Sequence, residues 1–305
     1  YVSEFRSFND CLFHRSFLFR SFMVIKQREG YKDLTLNLDK LPLGKKITYP
    51  EKYDPSLLVG ISREEAMARS GIKLEPSSFY GLDSWTAYEL SWLDVKGVPK
   101  NGILYASYSS KSKNFIESKS FKLYLSSLNN KKFNSRDQLK DLLTKDMQNC
   151  VSEEVTIEIK NTPRDFIEEC VSIDYIDLNL EGLKEGIRGD ILEISTQEVN
   201  EKISCSLFRS LCPVTGQPDW ATVRITYSGK LIIHEHLLSY LVSYRNHQAF
   251  HEECTEKIFE DLMNYCKPKE LTVQASYLRR GGIEINPIRS TTENFTKEVL
   301  RTKNQ

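Results

Sequence analysis

The chain has 305 residues, 40% hydrophobic and 11% aromatic, enough for a real core in one large domain or two of ordinary size. Lys plus Arg number 42, as do Asp plus Glu, so the formal net charge is zero. The basic excess with which nucleic-acid binders neutralise phosphates is missing, although a neutral total leaves room for a local basic patch. The seven cysteines are scattered and never form a CxxC pair. That excludes a disulfide framework or a zinc-finger pattern and fits a reducing compartment. No apolar run approaches the ~20 residues of a membrane span.

Ordered structure is expected from about Leu41. Trp85–Trp92 alternates and is rich in aromatics, as a strand is. Gly97, Pro99 and Gly102 mark a turn, and Ile103–Tyr108 is the next strand. Phe121, Tyr124, Leu125 and Leu128 share one helical face. A second helix spans Ser135–Met147, with Ser135 as N-cap and Leu139, Leu142 and Leu143 on its apolar side. Val155–Ile159 returns to strand. The second half repeats this order. Strands are expected at Ile203–Phe208 and Ala221–Tyr227, with Gly229 as a turn signal. Helical faces run through Leu237, Leu238, Leu241 and Val242, then through Phe250, Cys254, Ile258, Phe259, Leu262 and Met263. Leu271–Tyr277 and Gly282–Ile285 close the pattern as strands. Residues 166–200 are acid-rich and weakly periodic, as a connection is. The plan predicts a duplicated α+β protein, each half an antiparallel sheet with its helices on one face. No GxGxxG follows a strand, so a Rossmann domain is not indicated.

Four constellations carry chemistry. In Leu211–Trp220 (LCPVTGQPDW), Cys212 precedes a loop with Pro213, Gly216 and Pro218, and Asp219 follows. A thiolate is the competent nucleophile, and a loop that returns the Asp219 carboxylate toward it supplies a proton acceptor and later a donor. The alternative is a buried structural cysteine beside an ordinary turn Asp. In Phe250-His251-Glu252, the apolar face takes Phe250, so His251 and Glu252 point elsewhere. A Glu can accept two hydrogen bonds from the amidine-like edge of a guanine; the alternative is a first-turn Glu complementing the helix dipole. In Ile116–Tyr124 (IESKSFKLY), Lys119 and Lys122 stand at a helix start whose free N–H groups complete a phosphate cradle, or else form a solvated lysine face. In Tyr277–Ser290, Arg279 and Arg280 precede Gly281 and Gly282. This reads as a bulge or tight bend carrying an arginine fork for a phosphate such as the 2′-phosphate of NADPH, or as a surface pair beside a hairpin turn.

Together these motifs resemble the 7-cyano-7-deazaguanine reductases, the nitrile reductases of queuosine biosynthesis, in their long two-module form. Glu117–Tyr124 matches the family signature at every position. Cys212 with Gln217–Trp220 matches its catalytic segment, Phe250–Glu252 its substrate segment, and Arg279–Gly282 its cofactor segment. The resemblance covers about Leu41 to Arg289.

It implies tandem tunnel-fold (ββααββ) modules and a cytoplasmic homodimer that acts on a small deazapurine, without direct contact to nucleic acid or membrane. The implied division is an N-terminal extension over 1–40, a first module over 41–165, an acidic connection over 166–200 and a catalytic module over 201–305. The implied chemistry is attack of Cys212 on the nitrile carbon to give a covalent thioimide, with Asp219 as general acid. Hydrides from two NADPH molecules then yield the primary amine, and no metal is required. Ile116, Glu117, Ser118, His251 and Glu252 are implied to hold the deazaguanine, and Ser118, Lys119, Lys122, Arg280 and Gly281 the NADPH. Rival readings are a nitrilase-like Cys hydrolase, which leaves the basic residues without a purpose, a tunnel-fold pterin enzyme, and a non-catalytic purine-binding module.

Residue 1 is Tyr and the first Met is Met23. Residues 1–22 mix Phe, Arg and Ser without periodicity. His14, Arg15 and Arg20 interrupt the apolar stretch Cys11–Ile25, so it lacks the h-region of a secretory signal. Translation is expected to begin at Met23. Mass analysis of the native N-terminus checks this, and an intact peptide covering Tyr1–Arg20 would overturn it.

Overall fold

The computed structural model describes residues 49–164, 170–179, 186–297, 301–302 and 305; the expected extension over 1–40 lies outside them. In chain order the elements are β1 (Gly60–Ser62), α1 (Arg63–Ser70), β2 (Tyr80–Leu93), β3 (Pro99–Ser109), β4 (Asn114–Ile116), α2 (Ser118–Ser127), α3 (Arg136–Val151), β5 (Val155–Lys160), β6 (Val171–Ser172), β7 (Ile194–Leu211), β8 (Pro218–Ile232), α4 (His234–Val242), α5 (His251–Asp261), β9 (Glu270–Tyr277) and β10 (Ile283–Ser290).

Short-range chemistry sets the helix ends. The Ser135 hydroxyl accepts the Gln138 N–H at 3.1 Å and starts α3, as its position in the sequence predicts. Ser62 caps α1, and Gly71, at φ 66°, ends it. The N-cap of α2 is Glu117, whose two carboxylate oxygens accept the N–H groups of Lys119 and Ser120 at 2.8 and 2.7 Å. β1 pairs with β4, and the Glu117 N–H donates to Val59 at 2.9 Å. This small sheet fixes where α2 begins.

The remaining strands form one sheet in the order β5-β3-β2-β10-β9-β8-β7-β6. Every pairing is antiparallel except β6 with β7. The expectation of one sheet per half is therefore corrected. β2 of the first half pairs with β10 of the second from Tyr80↔Ser290 to Ala87↔Ile283, which fuses the halves edge to edge. Two cores lie on the helical side. One gathers Phe208, Tyr240, Leu241, Ile258, Phe259 and Val273 of the second half. The other gathers Trp85, Phe121, Tyr124, Leu139, Leu143 and Met147 of the first. Ile283 and Ile285 cross the seam into the first-half core, with Phe250 packed against it.

Two further expectations need correction. β7 starts at Ile194, inside the stretch read as a connection. Gly229 is not a turn: it lies within β8 opposite Val199, at φ 149°. A Cβ there would come within 3.1 Å of the Pro268 Cα, so the glycine serves a close backbone approach inside a strand. Gly229→Val is expected to cost about 1–3 kcal/mol of stability, read as a lower midpoint in chemical denaturation. An unchanged midpoint would show that the contact yields freely.

Candidate active site

The β7–β8 hairpin builds the first wall of the site. Its last pair is Leu211↔Pro218, and Cys212 is the first residue of the loop. The Cys212 N–H donates to the Gln217 carbonyl at 2.8 Å, and its carbonyl accepts the Gly216 N–H at 2.9 Å. Gly216 sits at φ 67°, where glycine is favoured. Leu211 donates to the His247 carbonyl at 2.8 Å and accepts the Ala249 N–H at 3.1 Å. The segment leading into α5 is thereby laid alongside the hairpin, which brings His251 and Glu252 to Cys212.

The β9–β10 hairpin builds the rim. Arg280 and Ile283 exchange two backbone hydrogen bonds of 3.0 Å around Gly281 and Gly282, both at positive φ. This is the type I′ pattern that demands residues free to take that conformation. The bend expected from the RRGG run is thus a two-residue hairpin turn. The Lys122 ammonium of α2 donates to the Gly281 carbonyl at 2.7 Å and to Glu89 at 3.1 Å, tying the rim to the first half.

A cavity of about 240 Å³ opens where these pieces meet. Its lining includes Ile116, Glu117, Ser118, Lys119 and Lys122 from the first half. Cys212, Asp219, His251, Glu252, Arg280 and Gly281 line it from the second. The residues the resemblance assigns to catalysis, to the deazaguanine and to NADPH share this one lining, while Arg279 and Gly282 of the cofactor segment lie outside it. Arg279 is the exception to the expected arginine fork. Its guanidinium lies 4.4 Å from the Tyr88 ring centroid and 3.7 Å from Glu284, because neighbouring residues on an extended segment point opposite ways. Sequence reasoning also missed Tyr277. The His251 ring stacks on it at 3.7 Å with 16° between planes.

The electrostatics sort the acids into different states. Asp219 is 5% exposed. Its Oδ1 lies 3.1 Å from the Arg280 Nε and 3.5 Å from the His251 Nε2. Burial opposes its ionisation, yet His251 and Arg280 outweigh burial and hold the carboxyl below its ordinary value. It begins as a proton acceptor. Glu252 is 3% exposed, and its Oε1 has no hydrogen-bond partner among the described residues. Burial, with repulsion from Asp83, pushes its carboxyl up to about 8. Glu252 thus faces the cavity as a buried acid, and the alternative of a first-turn Glu complementing the helix dipole does not describe it. The residue that tends the start of α5 is Glu253, whose Oε2 accepts the Phe250 N–H at 2.6 Å. Burial also raises Glu117 despite its two backbone donors. Burial pushes the thiols of Cys205, Cys254 and Cys266 up to about 12, and none of these lines the cavity.

The rim suits a phosphate-bearing cofactor. Lys119, Lys122 and Arg280 bring positive charge to it. A Cβ on Gly281 would fall 3.0 Å from the Lys122 side chain, so the bare glycine keeps the approach open. The helix-start cradle is narrower than expected, since the Lys119 and Ser120 N–H groups already serve Glu117.

Residues 49–159 match the family described as the N-terminal part of nitrile reductase, 7-cyano-7-deazaguanine-reductase. Residues 218–296 match the QueF-like protein family. An NADPH-dependent 7-cyano-7-deazaguanine reductase of Coxiella burnetii (strain CbuK_Q154) is 40% identical over 272 residues, covering 88% of this chain and 97% of its own. Enzymes with the same description from Desulfotalea psychrophila and Saccharophagus degradans are each 43% identical. They cover 82% and 83% of this chain and 92% and 95% of their own.

The state of Glu252 has a stability signature. Its folded-state value of about 8 lies above the ordinary 4.5, so its contribution is fully present below pH 4.5 and is lost as pH rises through about 8. Glu252→Gln does not titrate. Its Tm is expected to gain on that of the unsubstituted chain between pH 5 and pH 8.5, read by paired thermal melts. A constant difference would mean that the buried acid has an ordinary affinity for its proton.

Proposed function

The chain belongs to the 7-cyano-7-deazaguanine reductase family, and on that premise we propose that it reduces the nitrile of 7-cyano-7-deazaguanine to 7-aminomethyl-7-deazaguanine at the expense of NADPH. The observation that carries this reading is the single cavity that collects Cys212, Asp219, Glu117 and Glu252 from both halves.

In this reading the base lies with its ring N–H and amino group toward Glu252, supported by Glu117, Ile116, Ser118 and His251. Asp219, ionised at the outset, takes the Cys212 thiol proton. The sulfur forms a bond to the nitrile carbon, one π bond of the nitrile opens, and the proton passes from Asp219 to the nitrogen, giving the thioimide. Covalent capture turns a poor hydride acceptor into a better one. NADPH, when bound, would supply the hydrides, one from each of two molecules in succession; between the two the C–S bond breaks and returns the Cys212 sulfur, and each hydride at carbon is matched by a proton at nitrogen. Ser118, Lys119, Lys122, Arg280 and Gly281 would hold it at the rim. The stack of His251 on the buried Tyr277 ring sets the imidazole beside Asp219. The reading extends to a cytoplasmic homodimer of tunnel-fold modules serving queuosine biosynthesis.

The test is NADPH absorbance with purified protein and 7-cyano-7-deazaguanine. Two NADPH consumed per nitrile are expected, with a loss of about a thousandfold or more in Cys212→Ala. Release of a carboxylic acid or amide without NADPH consumption would favour a hydrolase. Binding of the base with no turnover would leave a purine-binding module.

A further inference from the structure

Behind the cavity lies a cluster of four charged side chains from four elements and both halves. Arg289 of β10 is 0% exposed. It donates to Asp83 of β2 at 2.8 Å and to Glu256 of α5 at 2.7 Å. Arg63 of α1 donates to Asp83 and lies 3.6 Å from Glu256. Two guanidinium groups and two carboxylates balance, and each is buried. Such a cluster has no positive charge to spare.

Glu252 stands one helical turn before Glu256 on α5, between this cluster and the cavity. Asp83, Arg63 and Arg289 act on it from β2, α1 and β10, and the Tyr108 hydroxyl from β3 is electrostatically coupled to it. Glu256 follows on its own helix, and Glu117 and Asp219, the latter with Arg280 and His251 beside it, are the other buried carboxylates of the lining. An ionised carboxylate in this place needs either an unbalanced cation or donors from outside the protein. Among the described residues the cations of the cluster, Arg63 and Arg289, are each already matched by Asp83 and Glu256.

We propose that Arg63, Asp83, Glu256 and Arg289 are positioning residues that tie the charge of Glu252 to occupancy of the cavity: a neutral acid when it is empty, a carboxylate when a base presents two N–H donors. The step balances simply. Glu252 loses its proton to solvent, and the base keeps both of its hydrogens and donates them. Discrimination follows, because a ligand without the paired donors leaves Glu252 protonated. The push of burial and Asp83 on Glu252 agrees with this. The inference rests on the proposed function for the identity of the base, and goes beyond it in assigning the neutral cluster a role.

The experiment is the pH dependence of kcat and kcat/KM for 7-cyano-7-deazaguanine in the full chain and in Asp83→Asn, Glu256→Gln and Glu252→Gln. The profile of kcat/KM reports groups of the free enzyme and that of kcat those of the complex. In the unsubstituted chain kcat/KM is expected to rise about tenfold per unit and level off near pH 8, while kcat lacks that limb. Asp83→Asn and Glu256→Gln each remove one negative charge and unbalance the cluster toward positive. The limb is then expected to move down by about one to three pH units; either variant suffices if the other fails to fold. A limb that persists in Glu252→Gln belongs to another group and overturns the proposal. So does a limb unmoved in a folded Asp83→Asn or Glu256→Gln. Absence of NADPH consumption at every pH would instead refute the proposed function.

Discussion

The pairing of β2 with β10 is the constraint on which the rest depends. Without it the chain has two separate sheets, and each would leave a row of unpaired N–H and C=O groups at its edge. With it, β10, the last strand of the second half, becomes the neighbour of β2 of the first. The seam falls where α2 and α5 both begin, so two helix starts and two hairpin ends face one small volume. Asp83 and Arg289 come from the paired strands themselves, at 2.8 Å. Removing one member of such a buried pair costs about 3–5 kcal/mol, because the other is left without a partner.

Most of the precision at the site is backbone precision. Cys212 is held through its own N–H and C=O, the rim by two hydrogen bonds across two glycines, and Glu117 by two helix-start amides. Side chains then do electrical work on one another. Asp219 has Arg280 and His251 beside it and its carboxyl is held down, whereas Glu252 faces a balanced cluster and its carboxyl is pushed up. Two carboxylates in one cavity are thus pushed in opposite directions, which is the arrangement that separates acid from base roles.

What was legible in the sequence was local or came in compact motifs. Ser135 caps α3 because a cap needs only the next turn, and the apolar faces of α2 and α5 repeat at helical spacing. The four motifs meet in one cavity because each is a short rigid piece at an element end. What was hidden depended on distant partners. Gly229 looked like a turn because the need for glycine comes from Pro268, on another strand connection. Arg279 looked like the twin of Arg280, but alternation sends it to Tyr88. Arg63, Asp83, Glu256 and Arg289 are spread across the chain, and their neutrality exists only once folded. Charged residues at strand positions that otherwise read as buried were the available signal.

The β7–β8 ladder has a consequence for how this chain tolerates change in length. Asp219 faces the cavity while Trp220 lies on the other side of the strand, and Ala221, Val223 and Ile225 continue the Asp219 side into the core. A strand alternates with period two, so inserting or deleting one residue in β8 just after Asp219 would set the carboxylate against the core's register. The same change within the loop from Cys212 to Gln217 would leave that parity untouched and shift only the sulfur. Natural variation in length should therefore gather in the loop and avoid the strand, making the hairpin a ruler whose divisions cannot be halved.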